Sequence, residues 1–320
     1  MIDETLEIRL HSVTGTITPT PPYSFDKSLG FLESFSPTRD EQSLAARTLT
    51  KAIMVAGQAV VFQVTSIGTV EEPQLGYSLF SEQPLSGPAQ AAARDRLAFF
   101  LSLDDDLRPF YALGLADEAF APEIRRLYGL HQVKFPTPFE NAAWAVLAQR
   151  APIPVARKVK QALVEGFGAS LTVNGTASAY WAFPEAAALA AVPEAELAAL
   201  TRNPRKAQYL GAVARAFAGV DEAWLRTGDY EQVLGWLRQI KGIGEWSADF
   251  ILLRGLGRMQ QLHFTATTIF ERRMSAAVSR VYSPGRALAG AAMLSIAERY
   301  GDWQGYWALY LRTGESSGWS

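Results

Sequence analysis

Leu6, Ile8 and Leu10 alternate with Glu7, Arg9 and His11, the period of a strand with one buried face. From Gln58 to Ile67 the chain is rich in β-branched residues, opened by Gly57 and closed by Gly68, which predicts a second strand. Between the two, Leu44, Leu49 and Ile53 fall at helical spacing, and a helix is expected over Ser43–Ala56. Prolines and glycines punctuate this first part, among them Pro19, Pro21, Pro22, Pro37, Pro73, Pro84 and Gly87. The pattern predicts an α+β unit built on an antiparallel sheet.

From Pro88 onward the period changes. Apolar positions recur three and four apart, as in Val233, Leu234, Leu237 and Ile240, and prolines sit at segment ends. Helices are expected over 139–149, 155–166, 194–200, 205–218, 230–240, 246–256, 270–281 and 286–299, so that the chain from about 88 to its end reads as all-α.

Composition narrows the chemistry. The 320 residues are 48% hydrophobic and 19% charged, an ordinary globular balance. There is no cysteine, which excludes disulfides and thiolate-held zinc or iron–sulfur centres. The three histidines, His11, His131 and His263, lie far apart, so neither a metal nor a cofactor is expected. An acidic start and the lack of any uncharged apolar run of about 18 residues speak against export and membrane insertion; a soluble cytoplasmic monomer is the expectation. The net charge of −2 gives no global support for binding nucleic acid, so any such role must rest on a local device.

One stretch supplies such a device. An amphipathic segment ends near Ile240; Lys241, Gly242, Ile243 and Gly244 follow; a second helical segment starts at once through Trp246 and Ala248. Two glycines around an aliphatic residue make a tight turn whose middle side chain plugs the gap between helices. Without Cβ atoms a phosphate can approach the backbone, where the amides that open a helix point outward. Such a hairpin grips the backbone of duplex DNA without reading bases and without a basic surface. The alternative is a plain packed corner between two helices.

With its flanking residues, Ile240-Lys241 before and Leu253-Arg254-Gly255-Leu256-Gly257 after, this stretch resembles the helix-hairpin-helix base-excision DNA glycosylases, and among them DNA-3-methyladenine glycosylase II. The resemblance runs through nearly the whole chain. It includes Pro22-Tyr23-Ser24-Phe25-Asp26, Asp106-Leu107-Arg108-Pro109-Phe110-Tyr111, Pro138-Phe139-Glu140 to Gln149, Arg205-Lys206-Ala207 with Tyr209-Leu210, and Gly301 to Leu311. It implies an α+β fold: an N-terminal antiparallel-sheet domain over 1–87 followed by two all-α subdomains. One subdomain takes 88–135 plus 246–320. The other takes 136–245 and ends in the helix-hairpin-helix, about 230–256.

The implied activity is hydrolysis of the N-glycosidic bond of alkylated bases flipped out of damaged double-stranded DNA, with a carboxylate stabilising the cationic sugar. The family places an Asp shortly after the hairpin. Here the next carboxylate after Asp249 is Glu271, and ungapped counting lands on Ala266 or Thr267, which cannot ionise. Either Glu271 is catalytic, across a slightly longer loop, or the carboxylate is gone and the protein binds damaged DNA without excision. Lyases of this superfamily carry a Lys two residues past the second hairpin glycine; Trp246 stands there, which implies a monofunctional enzyme.

By the same resemblance, Lys241, Gly242, Ile243, Gly244, Ala248, Gln149 and Arg150 would contact DNA, with Arg150 filling the gap left by the flipped base. Trp246, Trp303, Tyr306 and Arg312 would line the base pocket, although core packing explains the aromatics equally well. Arg157, Lys158, Lys160, Arg205 and Lys206 are further candidates for phosphate contacts, or simply solvated residues.

Overall fold

The computed structural model describes residues 10–173, 178–260 and 269–314. Strands β1 (His11–Ile17), β2 (Gln42–Ser43), β3 (Leu49–Val55), β4 (Gln58–Ser66) and β5 (Leu75–Ser81) form one antiparallel sheet in the order β1-β5-β4-β3-β2. The β3–β4 hairpin turns through Ala56 and Gly57, both at positive φ (50° and 78°), the twist a two-residue hairpin requires. The strand predicted around Leu6–Leu10 falls mainly on residues 1–9, outside those described.

No helix spans Ser43–Ala56. A short 3-10 turn at Ala45–Arg47 leads into β3. The apolar spacing misleads because β3 and β4 are covered on both faces. Leu49, Ile53, Val60, Phe62 and Val64 enter the main core, while Ala52, Ala59 and Val61 pack on Leu171, Val173 and Ala182. A doubly covered strand loses its period-two signature.

The helices follow in chain order. The first five are α1 (Phe25–Ser34), α2 (Gly87–Leu101), α3 (Arg108–Ala116), α4 (Ala121–Arg126) and α5 (Pro138–Ala148). Next come α6 (Ile153–Phe167), α7 (Ala186–Ala190), α8 (Glu194–Thr201), α9 (Pro204–Ala218) and α10 (Glu222–Thr227). Then α11 (Tyr230–Gln239) and α12 (Glu245–Phe250) precede a π-helical turn at Ile251–Gly255, and α13 (Ile269–Tyr282), α14 (Gly290–Glu298) and α15 (Gln304–Thr313) complete the body. The region after 88 is not purely helical. Strands β6 (Ala169–Leu171) and β7 (Tyr180–Ala182) form an antiparallel ribbon that lies on the back of the sheet, too short and too half-buried to declare itself in sequence. The fold class is nevertheless the expected α+β.

Caps fix the helix starts that matter here. Thr137, Asn203 and Asp229 accept from the main-chain N–H three residues on, at 3.0–3.1 Å, and Pro138 and Pro204 occupy the first turn. Two large cores result. The first joins the sheet, α1 to α4 and the C-terminal helices around Phe100, Phe110, Trp307 and Tyr310. The second gathers α6, α9, α11 and α12 around α5, whose residues from Pro138 to Leu147 are all buried. No described helix is long and apolar enough to cross a membrane.

Candidate nucleic-acid interface

Helix α11 stops at Ile240, which turns to extended backbone. The N–H of Ile243 donates to the carbonyl of Ile240 (2.9 Å), and the Ile243 side chain is buried in the second core. Gly242 sits at φ +97°, and a Cβ there would lie 2.4 Å from Cγ of Tyr209. Gly244 differs. Its backbone is extended, it is exposed, and a Cβ would meet nothing within 4 Å. The two glycines thus have separate reasons to exist: Gly242 for conformation and close packing, Gly244 for an open approach to the first amides of α12, which have no partner within the helix. Such amides suit an oxyanion. Exposed Lys241 adds positive charge, whereas Glu245 opposes an anion and is partly offset by Arg238 at 3.8 Å.

The end of α5 lies against this turn. Gln149 Nε2 donates to the Gly242 carbonyl (2.7 Å) and to Ser247 Oγ (3.2 Å), so its amide braces the hairpin. Arg150 beside it is exposed and left-handed (φ 48°), which thrusts its side chain away from α5. Ala248 points into the core, fully buried, with its N–H on the Gly244 carbonyl.

The flanking cations separate. Lys206 Nζ caps the Leu147 carbonyl (2.5 Å), and burial lowers its pKa. Arg157 holds the Arg39 carbonyl and the Asp40 carboxylate. Lys160 is no phosphate contact: it is buried on Glu41 (2.6 Å) and Glu140 (2.7 Å), joining α6 and α5 to the start of β2. Lys158 and Arg205 stay exposed.

From the hairpin inward runs an aromatic wall. Trp246, 36% exposed, stacks on Phe250 with centroids 5.3 Å apart and planes 9° off parallel. Phe250 meets Phe135 edge-on at 6.2 Å, and Phe135 meets Phe35 at 5.9 Å. The guanidinium of Arg254, carried on the π-helical turn, covers the rings of Phe31 (4.6 Å) and Phe35 (4.8 Å). Its carbonyl accepts from the Phe135 N–H (3.1 Å). Burial, and then the charge of Arg312 on α15, push the pKa of Arg254 down. Trp303 and Tyr306 lie elsewhere, against Phe110 in the first core, and the Tyr306 hydroxyl donates to Asp105. Phe31, Phe35, Phe135, Phe250 and Arg254 were not singled out as site residues from sequence; only the fold lines them up. Thr267 lies outside the described residues, and Glu271 is the third residue of α13.

An antiparallel sheet ahead of a helical body that carries this hairpin is the fold of the helix-hairpin-helix DNA glycosylases, and the resemblance read from the sequence stands. Over 313 residues the chain is 27% identical to the DNA-3-methyladenine glycosylase of Bacillus subtilis, covering 94% of this chain and 97% of that protein. The solved 3-methyladenine DNA-glycosylase from Archaeoglobus fulgidus superposes with a TM-score of 0.75 at 23% identity, over 93% of this chain and 97% of that one. The 8-oxoguanine glycosylase/lyase of Clostridium acetobutylicum, solved with double-stranded DNA, has a TM-score of 0.63 at 15% identity, over 94% and 96%. The chain matches no protein-family model.

Proposed function

We propose that this protein is a monofunctional DNA glycosylase that hydrolyses the N-glycosidic bond of damaged bases, alkylated ones among them, flipped out of duplex DNA. The observation that carries the reading is the open, exposed Gly244 at the head of α12, next to the Trp246–Phe250 stack. One feature suits a backbone phosphate, the other the face of an extruded base. The relative from Bacillus subtilis supports the choice of chemistry.

In this reading Arg150 enters the space vacated by the base, and Trp246, where a lyase would carry its Schiff-base lysine, closes that route. Glu271 serves as the carboxylate that stabilises the developing sugar cation and orients water. The second reading, a damage-binding protein that does not excise, is favoured by the Thr267 found where the family has its Asp.

Base release from duplexes carrying 3-methyladenine, 7-methylguanine or hypoxanthine separates them, with wild type, Glu271→Gln and Thr267→Ala compared. Loss of release in Glu271→Gln alone supports catalysis by Glu271. Binding without release by every form supports the second reading, and failure to bind any duplex refutes both.

A further inference from the structure

Arg254 is the one cation of the aromatic wall. Its guanidinium is half-buried, covers Phe31 and Phe35, and meets no carboxylate or other hydrogen-bond acceptor among the described residues. Two consequences follow for a base that enters along Trp246. An aromatic face attracts a cationic base through its quadrupole, but the two innermost rings already carry the protein's own cation. A base that is itself positive would also meet an uncompensated guanidinium, with Arg312 near enough to add to the repulsion. A neutral purine that keeps its O6 and N7 acceptors presents instead the edge that an arginine fork binds with two parallel hydrogen bonds.

Resting on the glycosylase reading above, we propose that Arg254 is a specificity-determining residue: it selects uncharged lesion bases with a free O6/N7 edge, such as a deaminated purine, and disfavours purines made cationic by alkylation on a ring nitrogen. Undamaged guanine shares that edge but is held in its pair by the cost of extrusion, which a weakly paired lesion lowers.

Hypoxanthine and 7-methylguanine, each opposite cytosine, make a matched pair, since the second carries both the charge and a blocked N7. Dissociation constants by fluorescence anisotropy and single-turnover release are measured for wild type, Arg254→Met and Arg254→Lys. Wild type is expected to favour hypoxanthine by about tenfold or more, the range of one good bidentate base contact. Arg254→Met, which keeps the apolar stem over the rings, should bring the two within about twofold of one another. Arg254→Lys, which keeps the charge and loses the fork, should still discriminate against 7-methylguanine relative to Arg254→Met.

Equal handling of both duplexes by wild type, or an unchanged ratio in a folded Arg254→Met, overturns the inference and leaves the glycosylase reading standing. If Arg254→Met fails to fold, the comparison of wild type with Arg254→Lys decides: loss of hypoxanthine preference supports the bidentate contact, and no change refutes it. Selective binding without any release supports the charge filter and refutes catalysis.

Discussion

The two glycines of the hairpin should respond oppositely to the same added methyl group. At Gly242, alanine would have to hold φ near +97° and displace Tyr209 at its Cβ and Cγ, 2.6 and 2.4 Å away, which no side-chain rotation can clear. The left-handed backbone costs about 1–2 kcal/mol and overpacking about 1–3 kcal/mol. At roughly 2–4 °C per kcal/mol, Gly242→Ala should lower Tm by about 5–15 °C. At Gly244 the backbone is extended and the space empty, so Gly244→Ala should shift Tm by no more than about 2 °C. Its effect falls on DNA. A methyl group where a phosphate would sit removes a hydrogen bond to a charged group, worth about 1.5–3 kcal/mol, so affinity should drop about ten- to a hundredfold. Calorimetry and fluorescence anisotropy on a duplex with an abasic analogue, at fixed salt, read the two quantities. Unchanged affinity in Gly244→Ala would refute the phosphate assignment, and equal loss of Tm in both variants would refute the division of roles.

Lys160→Met should lower stability by about 3–5 kcal/mol in urea unfolding, because Glu41 and Glu140 would be left buried without their shared cation. Burial raises the pKa of Glu41, but Lys160 and Lys51 outweigh it and hold the carboxyl below its ordinary value. The stability this contributes is present above about pH 4.3 and lost as pH falls through the lower folded value. Wild type should therefore weaken steeply below that pH, and Lys160→Met less steeply. Trp246→Ala should weaken binding to lesion duplexes while changing Tm by only a few degrees, since the ring is partly exposed; a collapse of Tm would assign it to the core. Arg150→Gly should raise stability by about 1 kcal/mol by relieving its left-handed backbone, yet reduce affinity for lesion duplexes; unaltered affinity would exclude Arg150 from the gap.

Local signals carried much of the fold. The expected segments at 139–149, 155–166, 205–218 and 230–240 correspond to α5, α6, α9 and α11 within two residues, because proline and side-chain caps mark their starts and one face of α6, α9 and α11 is polar. Between Leu49 and Val55 the same reasoning failed, since burial on both faces erased the alternation, and the β6–β7 ribbon that covers one of those faces was itself invisible. The hairpin was legible from Gly242-Ile243-Gly244 because its geometry is local. The inner wall was not. Phe31 and Phe35 at the end of α1, Phe135 before α5 and Arg254 after α12 are distant in sequence and meet only through tertiary packing. Lys160 shows the converse, an apparent surface cation that the fold uses inside.

Gln149 fastens the loop after α5 to the turn between α11 and α12 while its neighbour Arg150 juts outward. The grip on the strand and the finger that tests the stack therefore travel as a single rigid piece. Such a protein would search along the double helix by displacing its whole body, and each shift of its hold would reset where the probe lands.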